Sequence, residues 1–167
     1  MTKKNNERFV KLTSANLGRV LPVKKICWCE TYRGIYPDEM LDNFDFDFHR
    51  KKFESYLSAP ETHSFLVECG KETVGYFTFT FKDFATVHLD NIYLIRSHQQ
   101  KGLGKRVFDY VISFSAMHGK KTLSLSCNAH NGKAKEFYLR RGGKIVKSDT
   151  GNARKIEDQL DFVFEIN

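Results

Sequence analysis

Residues Ile92 to Arg106 read Ile-Tyr-Leu-Ile-Arg-Ser-His-Gln-Gln-Lys-Gly-Leu-Gly-Lys-Arg. Four apolar residues finish a strand, two glycines stand one residue apart, and a helical pattern begins at once. A strand, a glycine-bearing turn and a helix N-terminus in that order make an anion site. The first-turn N–H groups have no partners inside the helix, and the helix dipole favours negative charge there. Gly102 and Gly104 let the backbone approach a bulky phosphate because no Cβ intervenes. Lys101, Lys105 and Arg106 add full positive charges around the turn. The spacing has neither the Gly-Lys-Ser/Thr ending of a P-loop nor the three glycines of a dinucleotide fingerprint.

A second stretch with chemical potential lies nearer the start. Between Gly34 and Phe48 there are five acids, Asp38 among them, and no base. Trp28, Tyr32, Tyr36, Phe44, Phe46 and Phe48 are interleaved around them. Two readings stand: a solvated helix face with core aromatics, or an acidic, aromatic-walled pocket for a cation. Carboxylates attract an amine, and aromatic faces favour a positive charge.

The totals bound what these residues belong to. A chain of 167 residues, 41% hydrophobic with 15 Phe and 7 Tyr, is expected to form one domain, residues 1–167, with a substantial core. No apolar run approaches the roughly 18 residues of a membrane helix, and Met-Thr-Lys-Lys-Asn-Asn is no signal peptide, so the expected location is cytoplasmic and no membrane partner is expected. Cys27, Cys29, Cys69 and Cys127 do not have zinc-site spacing and read as buried free thiols; no metal is expected. The net charge of +7 is uneven. Residues 1–93 carry 13 bases and 13 acids, and residues 94–167 carry 14 and 7. A basic half implies an anion. No nucleic-acid-binding signature accompanies it, so a cofactor with several phosphates accounts for it with less.

The elements that position these residues follow from periodicity. A strand is expected at Phe9–Leu12 after a frayed lead-in over residues 1–8. A helix capped by Ser14 follows, which Pro22 kinks or restarts, and it stops at Gly34. A second helix runs from Phe48 to Leu57. Strands follow at Ser64–Cys69, Val74–Phe81 and Val87–Leu94, the first two joined by a turn at Gly70-Lys71-Glu72. Val107, Tyr110, Val111, Phe114 and Met117 form the core stripe of a helix closed by Gly119. Thr122–Cys127 is a strand and Asn131–Arg141 a short helix. Ile145-Val146 and Leu160–Ile166 make a final hairpin around Asp149–Asn152. No repeat, low-complexity run or linker interrupts this order.

Gln99-x-x-Gly102-x-Gly104, directly after Ile92-Tyr93-Leu94, resembles the acetyl-CoA motif of the GNAT N-acetyltransferase superfamily. Asn131, seven residues before Tyr138 within Asn-Gly-Lys-Ala-Lys-Glu-Phe-Tyr, resembles that family's Asn-x-x-Ala-x-x-Phe-Tyr signature. The segment from Trp28 to Leu41 is similar to the Thr-Tyr-Arg-Gly-Ile-x-Pro-Asp stretch of bacterial polyamine (spermidine/spermine) acetyltransferases. The resemblance implies an α/β fold with a mixed, mostly antiparallel sheet of about seven strands and about four helices. It implies acetyl-CoA as cofactor, a small-molecule amine as acceptor and a possible homodimer. Ile92, Tyr93 and Leu94 would offer backbone groups to the pantetheine arm, Gln99, Gln100, Lys101, Gly102, Leu103, Gly104 and Lys105 would surround the pyrophosphate, and Asn131 would bind the arm. Tyr138 would protonate the departing sulfur, and Trp28, Tyr32, Tyr36 and Asp38 would bind substrate.

Three positions depart from the family pattern. His88 stands where many members carry a catalytic glutamate; His88 or Asp90 would take the amine proton, singly or through a shared water chain. Ser126 replaces a glutamate found in some protein N-terminal acetyltransferases, which argues against that activity. Gly142-Gly143 replaces the usual Gly-Phe, which would loosen the coenzyme end of the site. The implied enzyme transfers acetyl by direct attack to a polyamine, an amino acid, an antibiotic or a peptide N-terminus. A non-catalytic acyl-CoA sensor and a nucleic-acid-binding domain are the alternatives.

Overall fold

The computed structural model describes residues 6–167; the rest of the expected lead-in lies outside the described residues. Seven strands form one sheet in the order β1-β2-β3-β4-β5-β7-β6: β1 (Glu7–Lys11), β2 (Thr62–Cys69), β3 (Glu72–Phe81), β4 (Thr86–Leu94), β5 (Thr122–Asn128), β6 (Lys144–Asp149) and β7 (Gln159–Glu165). Every described pairing is antiparallel except β4 with β5. The helices are α1 (Val20–Tyr32), α2 (Asp38–Asp42), α3 (Phe46–Ser58), α4 (Leu103–Met117) and α5 (Gly132–Arg140). The one beyond expectation is α2, a short turn inside the acidic stretch that starts after Pro37.

Alternation along the strands divides the core into two layers. Phe65, Val67, Phe77, Phe79, Leu123 and Phe162 pack with Val107, Phe108 and Val111 of α4. On the other face, Leu66 and Tyr76 pack with Val20, Leu21 and Cys27 of α1 and Phe53 of α3. This second layer contains no residue of β5, β6 or β7. Half of that face is therefore left without a helix over it.

Several local expectations are corrected. Ser14 caps nothing. Asn16 organises the entry instead, with Oδ1 accepting from the Thr13 N–H (2.8 Å) and Nδ2 donating to the Lys11 carbonyl (3.0 Å). A 3₁₀ turn, Leu17–Arg19, then leads into α1, so Pro22 lies in its first turn, where no N–H is missed. Met117 ends α4 exposed to solvent on the side turned away from the sheet, while His118 beside it still packs on Phe81 of β3. β6 and β7 do pair, but a longer connection containing a 3₁₀ turn at Lys155–Glu157 joins them. Asp158 gathers that connection, accepting from the Asn152 N–H (2.9 Å) and from His130 Nε2 (2.7 Å).

Two packing details have measurable consequences. A Cβ built on Gly75 of β3 would stand 2.4 Å from the Tyr93 carbonyl oxygen and 2.6 Å from Leu94 Cδ2. Gly75→Ala should therefore cost about 1–3 kcal/mol in urea unfolding; an unchanged midpoint would mean that β3 and β4 separate freely. His49 is buried, stacked on Phe44 (centroids 4.3 Å apart) and edge-on to Trp28 (4.7 Å). Burial, helped by the charge of Lys24, lowers its pKa to about 4. The unfolded chain takes up this proton first, so the associated stability is complete above pH 6.5 and is lost as pH falls toward 4. The loss is about 3 kcal/mol at most. His49→Phe should remove this part of the acid sensitivity; an identical decline between pH 7 and 4.5 in both proteins would refute the assignment.

Candidate active site

β4 and β5 pair at Thr86–Thr122, Val87–Leu123 and His88–Ser124, and then part. The cause lies on the far side of β4. Its register with β3 runs Phe79–Leu89 and then Thr78–Asn91, leaving Asp90 as the extra residue of a bulge. Val87 and Leu89 before the bulge, and Ile92 and Leu94 after it, all belong to the α4 layer, so the inward parity changes there. β5 meanwhile stays paired with β7 as far as Asn128. The strands fork, and the β5-facing edge of β4 is left without a strand partner from Leu89 onward.

A cavity of about 700 Å³ opens in the fork. Ile92, Tyr93 and Leu94 form one side, the turn before α4 the base, and α5 the other side. The first bond of α4 is from the Arg106 N–H to the Gly102 carbonyl (3.1 Å). Among the described residues, the N–H groups of Leu103, Gly104 and Lys105 have no intramolecular acceptor. Gly102 has φ 79°, a backbone demand for glycine. Gly104 is different. A Cβ there would meet nothing closer than Phe137 Cε2 at 3.6 Å, an ordinary contact, so the fold itself does not require glycine. Its bareness serves whatever approaches from the cavity.

The expected cations are partly diverted. Arg106 pairs with Glu7, Lys105 lines the cavity while bonded to Asp109 (2.6 Å), and Lys101 Nζ donates to the Ser97 carbonyl (2.7 Å). Gln99 lines the cavity, and its Nε2 donates to the Leu94 carbonyl (2.8 Å), closing the loop. Gln100 and Gly102 line the cavity; Lys101 and Leu103 do not. Four further cations do line it: Arg96, Lys133, Arg140 and Arg141. The surplus of bases after residue 94 was the only sequence signal for them. Arg96 is held by Glu30 of α1, which accepts from its N–H and, through its carbonyl, from its guanidinium (both 2.7 Å).

A smaller cavity of about 60 Å³ adjoins the first. Both are lined by Ile92, Tyr93, Asn131, Ala134 and Tyr138. The Asn131 Oδ1 accepts from the Ala134 N–H (3.2 Å) and caps α5. Tyr138 is 7% exposed, its ring against Phe108, Phe162 and Phe164. Its hydroxyl has no hydrogen-bond partner among the described residues. Burial keeps that phenol well above its ordinary pKa, hence protonated. Asp90 lines the small cavity, its Oδ2 accepting from Thr80 Oγ1 (2.7 Å). His88 stands at the branch point outside it, with Nδ1 2.9 Å from Ser124 Oγ. Burial lowers the His88 pKa, against the pull of Asp90, so the imidazole is neutral at pH 7.

Of the expected substrate residues, Tyr32 reaches the small cavity, its hydroxyl bonded to that of Tyr93. Tyr36 stacks on Tyr32 (4.1 Å), and Trp28 packs against both; neither lines a cavity. Asp38 also lies outside both cavities. Arg33 clamps it (3.0 Å) together with Asp42 (2.7 Å) on the surface. Gly143 does not loosen the site, because the Phe164 ring fills the space beside it, 2.6 Å from where a Cβ would stand.

The model of the Acetyltransferase (GNAT) family matches residues 25–143. An uncharacterized N-acetyltransferase from the pepI 3′ region of Lactobacillus delbrueckii subsp. lactis is 23% identical over 143 residues, covering 81% of this chain and 83% of that protein. Among solved structures, the PaiA N-acetyltransferase of Thermoplasma acidophilum in complex with coenzyme A superposes with a TM-score of 0.81 at 18% identity, over 95% of this chain and 98% of that one. A spermidine N-acetyltransferase chimera of Vibrio cholerae SpeG and hSSAT gives 0.71 at 14% identity, over 96% and 95%. At such identities the structural likeness speaks for the fold. The family match speaks for the chemistry: this chain belongs to the GNAT family and is an acetyl-CoA-dependent N-acetyltransferase.

Proposed function

We propose that the fork is where an acetyl group passes to a small primary amine, by direct attack and without an acetyl-enzyme intermediate. The observation that carries this reading is the continuity of the two cavities, with Tyr138 lining both. When bound, acetyl-CoA supplies an activated acetyl thioester. The residues present fit it. The free N–H groups at the start of α4, with Arg96, Lys105 and Arg140, suit a pyrophosphate. The unpaired edge of β4 suits an amide-bearing arm lying along it as an added strand.

The side chains divide the proton work. Tyr138 holds a proton at its hydroxyl for the leaving sulfur. Asp90 lines the small cavity with an oxygen to spare and takes the amine proton; neutral His88 supports it from the branch point. N–H groups on the open edge of β4 polarise the carbonyl. The small cavity holds about two waters' volume, which favours an unbranched aminomethyl group. Arg33 pairs with Asp38 and Asp42 outside both cavities, so these two acids are not part of the acceptor site in this reading.

Two variants separate the parts of this reading. Tyr138→Phe should lower kcat by about 100-fold or more while leaving coenzyme A affinity within about twofold. An unchanged kcat would remove Tyr138 from the chemistry, and absence of turnover in the wild type would favour a sensor. Gly104→Ala should leave the melting temperature unchanged or raised, since alanine is the better helix former. It should also weaken coenzyme A binding about tenfold or more by calorimetry. Undiminished affinity would place the phosphates elsewhere.

A further inference from the structure

We infer that Cys127 is a covalent modification site, where hydrogen peroxide joins its sulfur to the thiol of bound coenzyme A as a mixed disulfide. The inference rests on the placing of the coenzyme's sulfur beside Tyr138 in the reading above. It goes beyond that reading by giving a role to a thiol that acetyl transfer does not use.

Leu123 and Leu125 face the α4 layer, and alternation along β5 turns Cys127 to the same face. There it packs against that layer, as Ala134 and Phe137 of α5 do. Of the four cysteines, all free, Cys127 alone lines a cavity. Cys27 is fully buried under α1, the Cys29 Sγ donates to the Leu41 carbonyl (3.7 Å), and Cys69 ends β2.

A second group in the same small cavity points to a ligand. Tyr138 is more than nine-tenths buried, lines that cavity, and has a hydroxyl with no partner among the described residues. A buried polar group left so is where a ligand atom belongs. The two side chains are neighbours: after burial, charge on the Cys127 sulfur is the next cause that raises the Tyr138 pKa. Tyr138 also lines the large cavity. A sulfur brought through the large cavity to Tyr138 therefore arrives where Cys127 lies.

The surroundings select both the partner and the oxidant. Burial pushes the Cys127 pKa up to about 11, so at pH 7 the thiol is protonated and slow toward reagents met in passing. A thiol held beside it gains the effective concentration of an intramolecular reaction. The small cavity of about 60 Å³ has room for about two waters. That admits one hydrogen peroxide molecule and excludes an oxidant as large as glutathione disulfide.

The chemistry balances with this oxidant alone. The Cys127 sulfur attacks one peroxide oxygen, the O–O bond breaks, and the thiol proton leaves with the other oxygen as water. The Cys127 sulfenic acid so formed is attacked by the coenzyme's thiol. The S–S bond forms, the S–O bond breaks, and that thiol's proton leaves with the oxygen as a second water. Two thiols lose two electrons and one peroxide gains them. An acetylated sulfur has no such proton, so only the product form of the coenzyme is captured.

The test treats the purified protein with hydrogen peroxide and coenzyme A, then reads intact mass under denaturing conditions without reductant. One adduct is expected, the mass of coenzyme A less two hydrogens, mapped to Cys127 by digestion and removed by dithiothreitol. It should exceed the adduct from an equal concentration of glutathione by about tenfold or more. Acetyl-CoA in place of coenzyme A should give none. Cys127→Ser should also give none, while coenzyme A still raises its melting temperature. An adduct on Cys27, Cys29 or Cys69, an equal yield from glutathione or acetyl-CoA, or an adduct that survives Cys127→Ser overturns the inference. Absence of an adduct from wild type whose melting temperature coenzyme A does raise also overturns it, and leaves acetyl transfer standing. No adduct and no rise overturns both the inference and the placing of the coenzyme in the fork.

Discussion

The structure depends on the place where β4 stops pairing with β5. A sheet that loses a row of backbone hydrogen bonds in its interior pays about 1–3 kcal/mol for each group left dry and unpartnered. Such a gap persists only if each flanking strand is held from its other side. Here β3 holds β4 over its whole length, closely enough that Gly75 has no room for a Cβ, and β7 holds β5 to its last residue. The bulge at Asp90 bends β4 away. What remains is a pre-formed edge in the middle of a sheet, with a helix N-terminus at its mouth. A ligand with amides along its length and phosphates at its end completes both.

Much of this was legible in the chain, because much of it is local. The alternation of Phe77 and Phe79 marks a strand regardless of context. The stripe of Val107, Val111 and Phe114 marks the helix, and Gly102 marks the turn because its backbone requires φ near 79°. Asn131 and Tyr138 are seven apart, which places them at opposite ends of a two-turn helix that any capping argument recovers. The segments that defeated local reasoning are those in which a side-chain contact outside the periodic pattern decided the outcome. Asp38 and Asp42 look like an acidic pocket until Arg33 is seen between them. Gln99 lines the cavity as a ligand group does, yet its amide is also spent on the Leu94 carbonyl. The bulge has no signature, since nothing in Leu-Asp-Asn-Ile says which residue will lack a partner. The loss of an aromatic after Gly142 is made good by Phe164, far away in the chain.

The charge asymmetry acquires a spatial meaning. Counted along the chain it is one basic half, yet the sheet sorts its charges by face. The bases gather at the start of α4 and at both ends of α5, around the cleft that opens beneath the fork. On the opposite face, past the edge of α1 and α3, the same half carries Ser126 and Asp161, and β4 adds His88 and Asp90. The cleft side therefore suits a ligand with several negative charges, while the opposite side carries the acids.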